Sequence, residues 1–169
     1  ITGPQARSDV QRLRAESSAV LTGIGTIIAD DAALTVRPEQ FDVQRFSENV
    51  SVDLEDDFDG VLLDDVIQSQ PIRVVMDLKA RMPANSRMLE TKSPIVWVVS
   101  EALTFDTARA CIEDLSYVDV LRLPNLSSAE SLRQVLEYLA SQGCNEVLVE
   151  AGSTLAGSFI DAGLWDELI

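Results

Sequence analysis

From residue 71 onward the chain repeats one pattern, an apolar run of strand length followed by a stretch with helical spacing. The strand-like runs are 72–77, 95–99, 118–123 and 146–150, and helical stretches at about 105–114 and 128–142 lie between the last three. Strands that are apolar throughout have no face to give to water, and the intervening helices supply the crossovers that parallel pairing requires. Both features predict an α/β fold with a largely parallel sheet covered by helices on both faces. The second helical stretch is well marked. Ser127 and Glu130 have capping-box spacing, Leu132, Val135, Leu136 and Leu139 form a stripe, and Gly143 stops it.

Ahead of residue 71, Thr2 and Gln5 have capping-box spacing and Pro4 suits a first turn. Ala6, Val10 and Leu13 recur at helical spacing, so residues 3–16 read as an amphipathic helix. Ala19 to Thr22 reads as a buried strand and Gly23-Ile24-Gly25 as a tight turn, with a short helix from Thr26 to Ala29 before Asp30-Asp31. Residues 39–70 hold ten acids against the single base Arg45. This segment is expected to be a solvated acidic loop insertion, and no ligand is assigned to it.

Composition narrows the chemistry. The 169 residues, 46% of them hydrophobic, suffice for a single domain over 1–169 with its own core. The start at Ile1 and the strand-like residues 166–169 lead to the expectation that this domain is incomplete at both ends. No run of about 18 apolar residues exists to span a membrane. The net charge of −15 argues against a nucleic-acid-binding surface, although most of it lies within 39–70. Histidine is absent, which removes Ser-His-Asp and Cys-His catalysis and histidine metal sites. Cys111 and Cys144 lack a CxxC spacing and are expected to be buried free thiols, in keeping with a reducing cytoplasm.

Two stretches carry the candidate chemistry. In 147–159 an apolar strand ends at Glu150 and small residues from Gly152 to Ser158 open a helix. A helix start has backbone N–H groups without internal partners, which favours a phosphate or pyrophosphate. Ser158 stands where a Walker loop needs lysine, and Gly-x-Gly-x-x-Gly is missing. Two readings of Gly152, Ala156 and Gly157 therefore stand level: close packing of the helix on its strand, or approach of a phosphate. Glu150 lies where open α/β sheets place ligands, and it needs an arginine, a helix start or substrate hydroxyls as partner.

The stretch 26–37 gathers Thr26, Asp30, Asp31 and Arg37 within twelve residues. One of the two aspartates is expected simply to end the short helix. Arg37 follows a strand-like Leu34-Thr35-Val36, and a guanidinium fork suits phosphate by donating two parallel hydrogen bonds. Arg7 and Arg14, two helical turns apart, share a face whose usual explanation is an exposed basic surface.

At these residues the chain resembles the reductase domain of the bifunctional riboflavin-biosynthesis deaminase–reductase. The matching segments are Ile1-Thr2-Gly3-Pro4 with Arg7, Asp9, Val10 and Arg14, and the run from Asp30 to Arg37. They continue with Val74-Val75-Met76-Asp77, Arg81 and Pro83, then Val149-Glu150-Ala151-Gly152 through Gly157, and close on Gly163-Leu164-Trp165-Asp166-Glu167-Leu168. The resemblance implies a dihydrofolate-reductase-like fold, a mixed, largely parallel sheet with helices on both sides. It implies NADPH-dependent reduction of 5-amino-6-(5-phosphoribosylamino)uracil to the 5-phosphoribitylamino form. In that reaction the ribose opens to an imine or its equivalent and C1′ accepts hydride. The cofactor supplies the reactivity, and the protein supplies placement and charge matching.

Carried over position by position, the resemblance assigns NADP contacts to Thr26, Asp30, Gly152, Ser153, Thr154, Leu155, Ala156, Gly157 and Ser158. It assigns substrate contacts to Arg14, Leu34, Arg37 and Glu150, with the arginines for the sugar phosphate. Leu78 also matches a cofactor-contact position, where a small hydroxyl residue is common, so Lys79 or Arg81 would meet the 2′-phosphate. Ala32 and Ser153 stand where proline is frequent. For the proton donor, Asp30, Glu150 and water stay open. The resemblance also implies a strand upstream of Ile1, further strands beyond Ile169 and self-association into a homo-oligomer. A zinc deaminase domain, with its His-x-Glu and Pro-Cys-x-x-Cys signature, is expected in the parent chain but is absent from these residues. Two alternatives remain: a reductase of the same fold acting on another pyrimidine or a pterin, and a nucleotide-binding module without catalysis.

Overall fold

The computed structural model describes residues 3–37, 40 and 70–169. In chain order these form α1 (Pro4–Glu16), β1 (Ala19–Gly23), α2 (Ile24–Asp30), β2 (Ile72–Met76), α3 (Arg87–Glu90) and β3 (Ile95–Ser100). α4 (Thr107–Glu113), β4 (Val118–Leu123), α5 (Ser128–Ser141), β5 (Val147–Val149) and α6 (Ser153–Asp161) follow. The five strands make one parallel sheet in the order β4-β3-β2-β1-β5. The acidic insertion expected over 39–70 lies outside the described residues except for Gln40 and Gln70.

The core divides by strand alternation, because successive side chains point to opposite faces. Val20, Val75, Ile95, Trp97 and Val99 face one way, where Ile24 and Ile27 of α2, Met88 and Leu89 of α3 and Ile112 of α4 cover them. Ala19, Leu21, Val74, Val96 and Val98 face the other way, under Leu132, Val135 and Leu139 of α5 and Phe159 of α6. Helices thus cover both faces, as the apolar strands require. α5 carries the expected capping box, with the Glu130 N–H donating to Ser127 Oγ and the Ser127 N–H donating to Glu130 Oε2.

The first helix departs from expectation. Ala6 is exposed, Val10 and Leu13 are half-buried, and the residues that α1 buries are Gln11 and Arg14. Its inner face is polar because it serves backbone groups of the 35–37 segment. Arg7 is exposed but Arg14 is 9% exposed, so the expected basic surface does not form. Gly3, without a side-chain cap, occupies the N-cap, and Thr2 lies outside the described residues.

Other boundaries differ locally. Gly23-Ile24-Gly25 is no separate turn: Gly23 is the N-cap of α2, which begins at Ile24 because Ile24 and Ile27 pack on the sheet. Leu34-Thr35-Val36 forms no strand, and Leu34 adopts a left-handed φ of 56°. Residues 166–169 are likewise not in a strand. The cysteines are free as expected, but Cys111 is exposed and Cys144 half-buried rather than in the core.

β2 contains an arginine that the apolar pattern concealed. Arg73 is 0% exposed, and burial pushes its guanidinium down to about 10. No carboxylate pairs with it among the described residues. Its Nη1 donates to the carbonyls of Ala33 (3.2 Å) and Met88 (2.7 Å), and its Nη2 to those of Thr91 (2.8 Å) and Ser93 (2.6 Å). Arg73 thereby sews the 31–37 and 88–93 segments to the middle of the sheet.

Candidate active site

In open α/β sheets ligands bind beyond the carboxyl ends of the strands, where the strand order reverses. Here the chain runs from β1 outward through β2, β3 and β4, then returns to place β5 on the other side of β1. The helices that follow these two neighbours, α2 and α6, lie on opposite faces of the sheet. A crevice therefore opens at the ends of β1 and β5.

Glu150 stands at that point, one residue beyond β5. Its N–H donates to the carbonyl of Leu21 at 2.9 Å, and its carbonyl accepts from Thr22 Oγ1 at 2.7 Å. Its carboxylate accepts from Arg14 Nε at 2.6 Å and from Arg14 Nη2 at 2.7 Å. The remaining terminal nitrogen, Nη1, donates to the Thr35 carbonyl at 2.9 Å. Of the partners open to Glu150 on sequence grounds, the arginine is the one realised. Arg14 thus joins the end of β5 to the segment that carries Arg37.

The start of α6 is open. Its N-cap Gly152 is extended and offers no side-chain cap, and Ser153 and Thr154 are exposed. A Cβ placed on Gly152 or Gly157 would meet nothing within 4 Å. Close packing of this helix on its strand therefore does not account for either glycine. The glycine held close is Gly23, whose Cβ would lie 3.4 Å from Leu155 Cδ2.

A cavity of about 290 Å³ lies beside this helix. Leu78, Lys79 and Arg81 line it from the turn after β2, and Ser128 and Ser131 line it from α5. Leu155 and Ser158 of α6 close the third side. The structure thus gathers Leu78, Leu155 and Ser158 in one place with both candidate cations. The serines of α5 went unnoticed in the sequence, where they read as the first turn of an amphipathic helix. Asp77 shapes the turn: 1% exposed, it accepts at Oδ2 from the Met82 N–H (2.8 Å) and Trp97 Nε1 (3.1 Å). Arg81 Nε lies 3.9 Å from its other oxygen. A second cavity, about 400 Å³, sits between α3 and α4 and contains none of the candidate residues.

The remaining candidates are more dispersed. Thr26 is half-buried on α2, and Asp30 is exposed at its last position. Asp31 is the left-handed C-cap and accepts at Oδ1 from the Arg87 N–H at 2.9 Å, so it is the aspartate that ends the helix. Leu34 is 2% exposed, with its side chain in the core. Arg37 is half-buried, and its side chain makes no ion pair with another described residue. Ala156 and Gly157 are half-buried along α6. Among the described residues no group of three or more His, Cys, Asp or Glu side chains could hold a metal, and no helix is long and apolar enough to cross a membrane.

Comparison with known proteins shows what the chain is similar to. The Haemophilus influenzae riboflavin biosynthesis protein RibD is 37% identical over 169 residues, covering 100% of this chain and 39% of that protein. A Buchnera aphidicola 5-amino-6-(5-phosphoribosylamino)uracil reductase is 30% identical over 172 residues, covering 100% of this chain and 72% of that protein. The structure of Acinetobacter baumannii RibD (form 2) superposes with a TM-score of 0.66 at 32% identity, over 98% of this chain and 37% of that one. The chain thus spans about 39% of the RibD proteins it matches. The model of the RibD C-terminal domain matches residues 1–169, and the chain belongs to that family.

Proposed function

We propose that this chain is the reductase unit that converts 5-amino-6-(5-phosphoribosylamino)uracil to 5-amino-6-(5-phosphoribitylamino)uracil with NADPH. The observation that carries this reading is the open start of α6 beside a cavity bearing Lys79 and Arg81, in a chain that belongs to the RibD C-terminal domain family. The residues fit a phosphorylated dinucleotide. Unpartnered N–H groups and bare glycines at Gly152 and Gly157 would admit a diphosphate, and Lys79 and Arg81, which line the neighbouring cavity, supply charge suited to a 2′-phosphate. When bound, NADPH supplies the hydride that C1′ of the opened sugar accepts.

The chain's own residues bind and orient. Ser153 to Ser158 hold the cofactor from α6, with Thr26, Asp30 and Leu78 at its edges. Arg37 meets the sugar phosphate, with Leu34 in the same segment on the substrate side. Arg14 closes the substrate side with one guanidinium edge committed to Glu150. Because both Glu150 oxygens accept from that guanidinium, Glu150 positions Arg14. With Glu150 so engaged, Asp30 as its carboxylic acid, or a water molecule, is left to deliver a proton to the substrate nitrogen. We place the activity in the cytoplasm, in a parent chain that also bears the deaminase domain and self-associates.

The test is NADPH oxidation by the full-length protein supplied with the deaminated pyrimidine phosphate, compared with the undeaminated one and with a pterin. Turnover of the first is expected. Absence of turnover by folded protein overturns the proposal, and preference for either alternative reassigns the substrate.

A further inference from the structure

Segment 31–37 has no regular secondary structure, so its backbone groups need partners elsewhere. Side chains from outside the segment provide them. Arg73 holds the Ala33 carbonyl and Arg14 the Thr35 carbonyl. The Gln70 amide takes both sides of Val36, accepting from its N–H at 2.8 Å and donating to its carbonyl at 3.2 Å. Gln11 Oε1 accepts from the Arg37 N–H at 2.8 Å, and Gln11 Nε2 donates to Gln40 Oε1 at 3.3 Å.

The segment also carries strain. Leu34 sits at a φ of 56°, a region costly for a residue with a Cβ, and such a conformation persists only where its surroundings over-determine it. Gln11 is 3% exposed on the inward face of α1, a place that helices packed on a core ordinarily give to apolar residues. A polar side chain buried there without a structural need would be costly, and the need that it meets is the Arg37 amide.

We infer that Gln11 is a positioning residue: by accepting the Arg37 N–H, it fixes where the Arg37 guanidinium meets an anionic substrate. This rests on the reading of Arg37 as the contact for the sugar phosphate. Gln11 touches no substrate itself, so its effect should fall on binding of the phosphorylated end and leave the cofactor side unchanged.

The experiment compares Gln11→Leu, Gln11→Glu and Arg37→Ala in the full-length protein. Gln11→Leu should raise KM for the pyrimidine phosphate about tenfold, as loss of one buried hydrogen bond implies. Its kcat and its KM for NADPH should stay within about twofold, well inside the scale of one hydrogen bond. Hydrogen exchange of the Arg37 amide should speed up in Gln11→Leu and return towards wild type in Gln11→Glu, which keeps the acceptor oxygen although its added charge itself opposes the phosphate. With the riboside analogue that lacks the 5′-phosphate, Gln11→Leu and wild type should match. If Gln11→Leu does not fold, Gln11→Met, similar in length and without an acceptor oxygen, takes its place. Unchanged KM in Gln11→Leu while Arg37→Ala raises it overturns this inference alone. Unchanged KM in Arg37→Ala overturns both the inference and the phosphate reading of Arg37.

Discussion

Arg14 and Glu150 form a two-pronged ion pair, Nε to Oε1 at 2.6 Å and Nη2 to Oε2 at 2.7 Å, between the first helix and the end of the last strand. With the side chains 11% and 24% exposed, the pair is largely withdrawn from water. Removing one partner from such a pair leaves the other charged and poorly solvated. Glu150→Gln is therefore expected to destabilise the fold by about 2 kcal/mol in chemical denaturation. Arg14→Lys should lose a similar amount, since a single ammonium cannot donate to both oxygens and to the Thr35 carbonyl in this geometry. Unaltered stability in both variants would show that the pair carries no net weight.

Arg73 poses the opposite case, a buried cation with no carboxylate partner among the described residues. Its four carbonyl acceptors disperse the charge and would each lose a partner in Arg73→Met. A loss of about 3 kcal/mol or more is expected, at the upper end for a single substitution. A change under about 1 kcal/mol, the scale of one ordinary hydrogen bond, would mean that water replaces the guanidinium without penalty.

Gly157 separates a helix-packing role from a ligand role. Alanine there meets nothing within 4 Å and has the better helix propensity, so Gly157→Ala should raise stability by about 0.5–1 kcal/mol. The same variant should weaken NADPH binding, and Gly157→Asp more so, by adding a carboxylate beside the diphosphate. Calorimetric titration with unchanged affinity in both would remove α6 from the cofactor site.

Lys79 and Arg81 line one cavity, and the side chain of Leu78 between them and β2 can offer no hydrogen bond to a phosphate. The double variant Lys79→Ala, Arg81→Ala should lose about tenfold or more in NADPH affinity, the scale of one or two charge-assisted hydrogen bonds. NADH affinity should barely change. An equal loss for both dinucleotides would place the 2′-phosphate elsewhere.

The two thiols should differ in reactivity. Cys111 is exposed, whereas Cys144 is half-buried and desolvation pushes its thiol above the ordinary value of 9.0. A raised value means less thiolate at any pH below it, and thiolate is the form that reacts. Alkylation followed by mass spectrometry should label Cys111 first. The gap should narrow as the pH rises through the elevated Cys144 value.

The parallel sheet was legible because its strands are short runs rich in apolar residues and its connecting helices carry their own periodicity and caps. The site was legible where residue type alone implied a partner: Glu150 at a strand end needed a donor and found Arg14. What escaped reading was polarity turned inward. Gln11, Arg14 and Arg73 occupy positions where burial must be earned by distant carbonyls or amides, and no local pattern announces such a partner. Leu34-Thr35-Val36 misled for the same reason. It is as apolar as a strand, but side chains rather than a neighbouring strand satisfy its backbone. The open space at Gly152 and Gly157 depends on how the helix stands off the sheet, which spacing along the chain does not encode.

β1 lies between β2 and β5, with Ala19 in register with Ile72 on one side and Val147 on the other. Its two partners come from mid-chain and from near the end, so this side of the sheet is assembled from remote stretches of polypeptide. Closing those loops costs entropy before any pairing repays it, which makes a topology of this kind slow to nucleate compared with one built from hairpins. The crevice at the ends of β1 and β5 therefore exists only once these remote stretches have docked.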